Sequence, residues 1–401
     1  MKEKLIIVKQ KNQIITAVYD GNDMLQVSID HKDASSILGN IYIGKVKNIV
    51  KNINAAFVEI SDGKMCYLSI PENRNPIYTK PKNSNKLVIG DELLVQISKE
   101  DVKSKAPVAT SNLNFTGKYV VLIHGKSTNG ISSKIEDESE RKRLKGILQE
   151  FKSDSYGFVV RTNSVNQPKE QIQDEIKSLI QNYEEIITRG VHKSTFSLIY
   201  KTLPGYLSSI RDSYSNKIEE ILIEDKEIYE TVYDFLSHYQ KEDLPKLHYH
   251  EDKLITLSNL YSVTTKLENA LREKVWLKCG GTIIIQPTEA LTVIDVNTGK
   301  AISGKKEVQE TFFIVNLEAA YEIAKQIRLR NLSGIIIIDF IDMEQENHKH
   351  ILMKKLEELF RLDPIKTTLV DMTALNLVEV TRKKVKKPIY EQINSKDSDT
   401  E

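Results

Sequence analysis

Two aspartates stand at the ends of apolar runs, Asp295 in LTVIDVN and Asp339 in IIIIDFID. Each run reads as a strand, and in open α/β sheets ligands bind beyond the carboxyl ends of the strands. The segment between them, Glu307–Arg330, has the periodicity of a long amphipathic helix. The two strands then belong to a strand–helix–strand crossover and are expected to be parallel neighbours. Carboxylates brought that close repel unless a cation lies between them. Mg²⁺ suits such a pair, because it takes one or two carboxylates and keeps waters for a substrate phosphate, with Mn²⁺ an alternative. It would polarise a phosphoryl oxygen and help make hydroxide from water. The competing reading is that each aspartate caps the turn or helix after its strand. Asp342 is a third candidate, but alternation from Asp339 places it on the other face of the strand, where a structural role is expected.

Other groupings carry chemistry of their own. Gly299-Lys300-Ala301-Ile302-Ser303-Gly304-Lys305 fits the start of a phosphate-binding loop between a strand and a helix, which would make the chain a nucleotide hydrolase. The next residue is Lys306 where such a loop needs the Ser or Thr hydroxyl that ligates Mg²⁺, and Asp295 just upstream would repel phosphate. His248 with His250, and His348 with His350, have i, i+2 spacing, which shares a face on a strand but not on a helix. The second pair falls in a predicted helix, and neither pair has a cysteine nearby.

The elements that position these residues fall into several blocks. Residues 1–35 read as short strands at Leu5–Val8, Ile14–Val18 and Leu25–Ile29. Residues 36–118 hold about five short strands, the pattern of a small closed barrel. Residues 119–206 read as a small α+β unit, with strands at Tyr119–Ile123 and Gly157–Arg161 and helices at Ser139–Phe151 and Lys169–Ile187. The segment 207–270 is acidic. Residues 271–385 are the clearest α/β pattern, with strands at Thr282–Gln286, Leu291–Val296, Gly334–Phe340 and Thr367–Asp371 and a further helix at His348–Arg361. The tail, 386–401, reads as disordered.

Composition narrows the function classes. The formal net charge is +1, which excludes a uniformly basic nucleic-acid sleeve, so any nucleic-acid site must be local. Counting residues 36–118 gives twelve Lys/Arg against seven Asp/Glu, and 207–270 gives seven against thirteen, so a basic barrel is offset by an acidic segment. The 2 cysteines, Cys66 and Cys279, form neither a disulfide framework nor a cysteine-based zinc site, and a cytoplasmic location is expected. No stretch approaches the roughly 20 apolar residues of a membrane span.

TEALTVIDVNTGK followed by NLEAAYEIAKQIRLRNLSGIIIIDFIDM closely resembles the catalytic core of the ribonuclease E/G family. GNIYIGKVKNIVKNINAAFVEI resembles the family's embedded OB-fold RNA-binding domain, and GFVVRTN its sensor for the RNA 5′ end. The resemblance runs in order over about residues 1–385. It implies an RNase H-like subdomain built from 1–35 and 207–270, an inserted OB-fold β-barrel (36–118) and 5′-sensor subdomain (119–206), and a DNase I-like catalytic subdomain (271–385). It implies Asp295 and Asp339 as metal ligands, Asn297 as the residue orienting Asp295, and Lys366 as a basic residue near the scissile phosphate. Phe57, Tyr67 and Lys105 take the barrel's RNA-binding positions, and Arg161 and Thr162 the 5′-phosphate pocket. Read from the residues alone, Phe57 is equally a barrel-core ring, Arg161 a solvated strand-end charge and Lys366 an exposed strand-edge lysine.

The implied activity is that of a Mg²⁺-dependent endoribonuclease acting on single-stranded, A/U-rich RNA. It would serve messenger RNA decay and ribosomal RNA maturation, leaving 5′-phosphate and 3′-hydroxyl ends. The alternative from another class is a non-catalytic RNA-binding paralogue. Two departures qualify the resemblance. The family's zinc-link cysteines are missing after Thr367, so zinc is not expected and any homo-oligomer would form without that link. Ser133 and Lys134 stand where the family has paired arginines, which removes one basic contact near the 5′-end pocket.

Overall fold

The computed structural model describes residues 3–31, 36–84, 86–100, 106–213, 217–252, 254–299 and 308–394. The chain forms two compact units, one of residues 1–33 and 216–401 and the other of residues 34–215.

In the first unit, the opening apolar runs form three successive antiparallel strands, Glu3–Gln10, Gln13–Asp20 and Asp23–His31. Positive φ at Lys11 and Gly21 makes the tight turns between them. Ile218–Ile223 and Leu247–Tyr249 join the other edge in parallel, completing a five-stranded sheet. Ile6, Val8, Ile15 and Ala17 pack with Leu257, Val263, Leu329 and Ile389 into its core.

The same unit holds a six-stranded sheet in the order Lys274–Trp276, Thr282–Pro287, Leu291–Asn297, Gly334–Asp339, Leu377–Arg382, Thr367–Met372. Only Leu291–Asn297 and Gly334–Asp339 pair in parallel, as a crossover through the helix Val308–Leu329 requires. One face carries Ile283, Ile285, Ile294, Val296, Ile336, Ile338, Val378 and Val380, buried beneath that helix and Glu346–Arg361. The opposite face is open, with Ile335 49% exposed.

Two of these strands, Lys274–Trp276 and Leu377–Arg382, were not anticipated. The second leads into a lysine-rich stretch. Its last residue, Arg382, is buried and paired with Asp363 at 2.7 Å, and also donates to Asn331 and the Leu332 carbonyl.

In the second unit, Ile41–Val50, Ala55–Ser61, Lys64–Ser69, Val108–Thr110 and Glu92–Lys99 pair in that order, and the last returns to the first to close an OB-like barrel. Val46, Val58, Cys66, Leu68, Val95 and Ile97 fill it. A four-stranded sheet follows (Gly130–Ile131, Tyr156–Val160, Val120–His124, Asn114–Thr116), packed with the helices Glu138–Leu148 and Lys169–Gly190. Asp137 caps the first helix by accepting from the Ser139 and Glu140 amides.

The five-stranded and six-stranded sheets fall within the same compact unit. The helix Val308–Leu329 supplies Leu329 to the N-terminal core and Val315, Ala319 and Ile323 to the other, tying both sheets into one unit. Residues 207–213 belong to the second unit, in the helix Gly205–Asp212. The expected disordered tail contains the helix Ile389–Asn394, whose Ile389 is buried and whose Gln392 accepts from the Ile29 amide. Residues 395–401 lie outside the described residues. Among the described residues no helix is long and apolar enough to cross a membrane.

Candidate functional site

Asp295 and Asp339 are direct register partners in the parallel pair Leu291–Asn297 and Gly334–Asp339. Ile294 and Ile338, one residue earlier on each strand, point into the core, so period-2 alternation turns both carboxylates to the open face. Their backbones are one strand spacing apart, about 4.8 Å. Burial raises the Asp339 pKa above the ordinary carboxylate range, and the charges of Asp295 and then Asp342 raise it further. Among the described residues neither Asp295 nor Asp339 has an ion-pair partner, and no group of three or more His, Cys, Asp or Glu is placed to hold a metal. Two adjacent, hard oxygen donors carrying uncompensated like charge fit a cation that keeps most of its waters.

Neighbouring side chains fix this pair. Asn297, next but one after Asp295 and on the same face, donates its Nδ2 to Asp295 Oδ2 at 2.6 Å. That bond holds the carboxylate in one orientation and leaves Oδ1 free of Asn297. Past Asn297 the chain turns at Gly299, whose φ is +54°. A Cβ there would meet the Gly280 carbonyl oxygen at 2.5 Å, so only glycine fits. The segment after Asp339 is clamped by Asn316, fully buried in the helix Val308–Leu329. Its amide donates to the Ile341 carbonyl at 2.8 Å and accepts from the Ile341 N–H at 3.1 Å.

Asn316 was missed at the level of sequence, although a polar residue among the apolar positions of a core helix is a visible signal. Asp342 lies beyond the end of the strand at Asp339, and its charge adds to the rise in that residue's pKa. Asn376 donates to it at 3.1 Å.

Lys366 does not join the carboxylates. It precedes Thr367, which pairs with Arg382 and through it with Gly334, the opposite end of the strand from Asp339. Five residues of strand separate the two levels, about 17 Å. The strand entered from Lys366 runs antiparallel to Leu377–Arg382, which puts its end, not its start, near Asp339. Residues 300–305 and Lys306 of the phosphate-loop pattern lie outside the described residues. His348 is buried and stacked on Phe313 at 4.1 Å, while His350 is exposed on another face of the same helix. The imidazole of His250 bonds to the Ile255 carbonyl, and His248 is exposed.

On the barrel, Phe57 and Tyr67 are cross-strand partners, half-buried, with rings 6.2 Å apart in an edge-to-face arrangement. Ala56 and Val58 point inward on either side of Phe57, which places both rings on the outer surface rather than in the core. Lys105 lies outside the described residues.

Arg161, at the end of Tyr156–Val160, donates to the Gly117 carbonyl at 2.6 Å and to Asp212 at 2.8 Å. Thr162 follows it at the start of a short 3₁₀ turn. Burial pushes the Asp212 pKa up, but the Arg211 and Arg161 guanidiniums outweigh it and hold the carboxyl below its usual range. Beside them Glu175 accepts from the amides of Lys118, Tyr119 and Val120 at 2.7–2.8 Å. Ser133 and Lys134 are exposed, and Arg141 ties their segment down through the Ser132 and Ile135 carbonyls.

Comparison with known proteins matches residues 114–385 to the model of the Ribonuclease E/G family. Ribonuclease G of Escherichia coli is 32% identical over 399 residues, covering 97% of this chain and 81% of that protein. Ribonuclease G of Haemophilus influenzae is 32% identical over 405 residues, 96% of this chain and 80% of that protein. Ribonuclease E of Nostoc sp. is 32% identical over 397 residues, 97% of this chain and 57% of that protein.

Proposed function

The chain belongs to the ribonuclease E/G family and is an endoribonuclease, and from that premise we propose that it cuts single-stranded RNA at the Asp295–Asp339 pair with the help of a divalent cation. The observation that carries this reading is the direct pairing of the two carboxylates at the ends of adjacent parallel strands. Asp295 and Asp339 would hold the ion, with Mg²⁺ the best fit to an all-oxygen set and Mn²⁺ the alternative. When bound, the cation supplies Lewis-acid neutralisation of charge developing on the phosphate and activation of water.

The remaining work falls to the chain. Asn297 keeps Asp295 in one orientation, and Asn316 keeps the segment after Asp339 in place. The outward rings of Phe57 and Tyr67 offer unpaired bases a stacking surface worth about 1–3 kcal/mol per base whatever the base, which favours unpaired RNA; the A/U-rich preference is proposed from the family resemblance. Arg161 and Thr162 would receive a 5′-terminal phosphate once Asp212 releases the guanidinium. In-line attack by water leaves 5′-phosphate and 3′-hydroxyl ends. The five-stranded N-terminal sheet corresponds to the RNase H-like part of this reading, and the carboxylate-bearing sheet to the DNase I-like part. Messenger RNA decay and ribosomal RNA maturation in the cytoplasm are the processes proposed.

The test is cleavage of one short unstructured RNA, carrying either a 5′-phosphate or a 5′-hydroxyl, with Mg²⁺ present or chelated. Cleavage that needs Mg²⁺ and is lost in Asp295→Asn, while RNA binding persists, supports the reading. Undiminished cleavage by that variant refutes it, and binding without cleavage under several divalent metals points to a purely RNA-binding protein.

A further inference from the structure

Across the carboxylate-bearing sheet, Asp295 is paired with Ile284, and Ile284 with Lys274 on the edge strand. Trp276, two residues on, stands level with Thr282 and Asn297. Residues paired directly across strands present their side chains on the same face. Lys274 and Trp276 therefore share the open face with Asp295 and Asn297, two strand spacings or about 10 Å away.

At this edge the structure forms a cavity of about 330 Å³, bounded by the start of Asp23–His31, the helices Val263–Leu271 and Val308–Leu329, and the edge strand. That volume is within the size range of small-ligand pockets. Four of its lining residues are cations: Lys266, Arg272, Lys274 and Lys325. Its one carboxylate, Asp23, is already paired with Lys325 at 2.8 Å. The nearby Glu273 accepts from Gln286. Burial lowers the Lys266 pKa, and the charge of Lys325 works in the same direction against the pull of Asp23. Lys266 is held by a carbonyl and a ring, bonding to the Tyr261 oxygen at 2.9 Å and lying 4.7 Å from the Tyr19 ring centre. The Lys274 ammonium sits 4.5 Å from the centre of the Trp276 ring, which is 62% exposed. The site thus has surplus positive charge in a concave pocket and an indole at its rim, a combination that recognises a phosphate joined to a flat aromatic base.

We propose that this cavity is a nucleoside-phosphate site, with the phosphate among Lys266, Arg272 and Lys274 and the base stacked on Trp276. The ligand reaches it either as a free mononucleotide or as one nucleotide of an RNA strand passing the edge strand Lys274–Trp276. Only the strand-borne form rests on the RNA-cleaving reading.

Trp276 is the only tryptophan of the chain, so its fluorescence reports on this site alone. The full chain, in chelator so that no cleavage intervenes, is titrated separately with AMP, UMP and a 2′-O-methyl oligonucleotide. Saturable quenching by the mononucleotides is expected if they are the ligand. Quenching by the oligonucleotide alone assigns the site to the RNA strand. In either case Arg272→Glu combined with Lys274→Glu, both at exposed positions, raises the half-saturating concentration about tenfold or more, as loss of charge-assisted bonds requires. Absence of saturable quenching by all three ligands, or an unchanged curve in the double variant, overturns the proposal. Neither result bears on the Asp295–Asp339 pair, whose own test is cleavage.

Discussion

Replacing Asp339 by asparagine keeps the shape of the side chain and removes one of two facing charges. With the carboxylates about 5 Å apart on a solvent-facing surface, their repulsion amounts to about 1 kcal/mol once water screening is included. In chelator at low salt and neutral pH, Asp339→Asn should therefore be more stable than wild type by about that amount. For a unit of roughly 200 residues this is a rise of about 2–4 °C in Tm. The effect has a definite pH dependence. Because the folded pKa of Asp339 lies above the ordinary aspartate value of 3.8, the folded wild type holds the proton longer than the unfolded chain. Wild-type stability relative to the variant then falls as pH rises from 3.8 through the folded pKa, and the variant's advantage disappears in acid.

Mg²⁺ should reverse the order. At ten times Kd a bound ion stabilises wild type by about 1.4 kcal/mol, and the variant should gain far less. The assay is thermal unfolding across pH with chelator or Mg²⁺, alongside RNA cleavage, which the variant should lose. A variant less stable than wild type in chelator at neutral pH, or one gaining as much from Mg²⁺, would refute the electrostatic argument.

Asn297→Ala removes the bond that orients Asp295 and should lower Mg²⁺ affinity or cleavage 10–100-fold, measured by metal titration of the cleavage rate. Phe57→Ala and Tyr67→Ala should each weaken binding of a short single strand by about 1–3 kcal/mol in a filter-binding assay, and the double variant by less than the sum because the rings touch. Asp212→Asn removes the carboxylate that holds Arg161 and should increase the preference for 5′-phosphorylated over 5′-hydroxyl RNA in paired cleavage assays. Lys366→Ala, at the far end of the sheet, should leave the single-turnover cleavage rate within about twofold, since surface changes away from a site rarely matter more.

The carboxylate pair was legible because its logic is short-range and periodic. An apolar run ending in Asp, a crossover helix and a second such run constrain one another, and the register pairs Asp295 with Asp339 directly. The barrel was legible for a similar reason, its strands being close in sequence. The resemblance puts Lys366 near the scissile phosphate, whereas its distance from Asp339 follows from a strand the sequence does not signal, Leu377–Arg382, inserted between Gly334–Asp339 and Thr367–Met372. Its last residue, Arg382, opens a lysine-rich stretch, and only tertiary structure supplies Asp363 as its buried partner. Arg161 takes its phosphate role only from the family resemblance, since its local residues read as a solvated strand-end charge. Its engagement by Asp212, 51 residues on, is not legible in them either.

The parallel pairing of Glu3–Gln10 with Ile218–Ile223 has a consequence for how the protein is made. Glu3–Gln10 leaves the ribosome more than 200 residues ahead of this partner, while residues 34–215 emerge between them as a compact unit. The Ile29 amide waits longer still, for Gln392, 363 positions away. At a synthesis rate of about 5–20 residues per second, the N-terminal hairpins stay without that neighbouring strand for roughly ten seconds or more. The inserted unit can complete its own core during that interval. The part of the molecule that carries the carboxylates thus closes after the inserted unit, and destabilising changes in its long-range contacts should appear first as lost yield of folded chain.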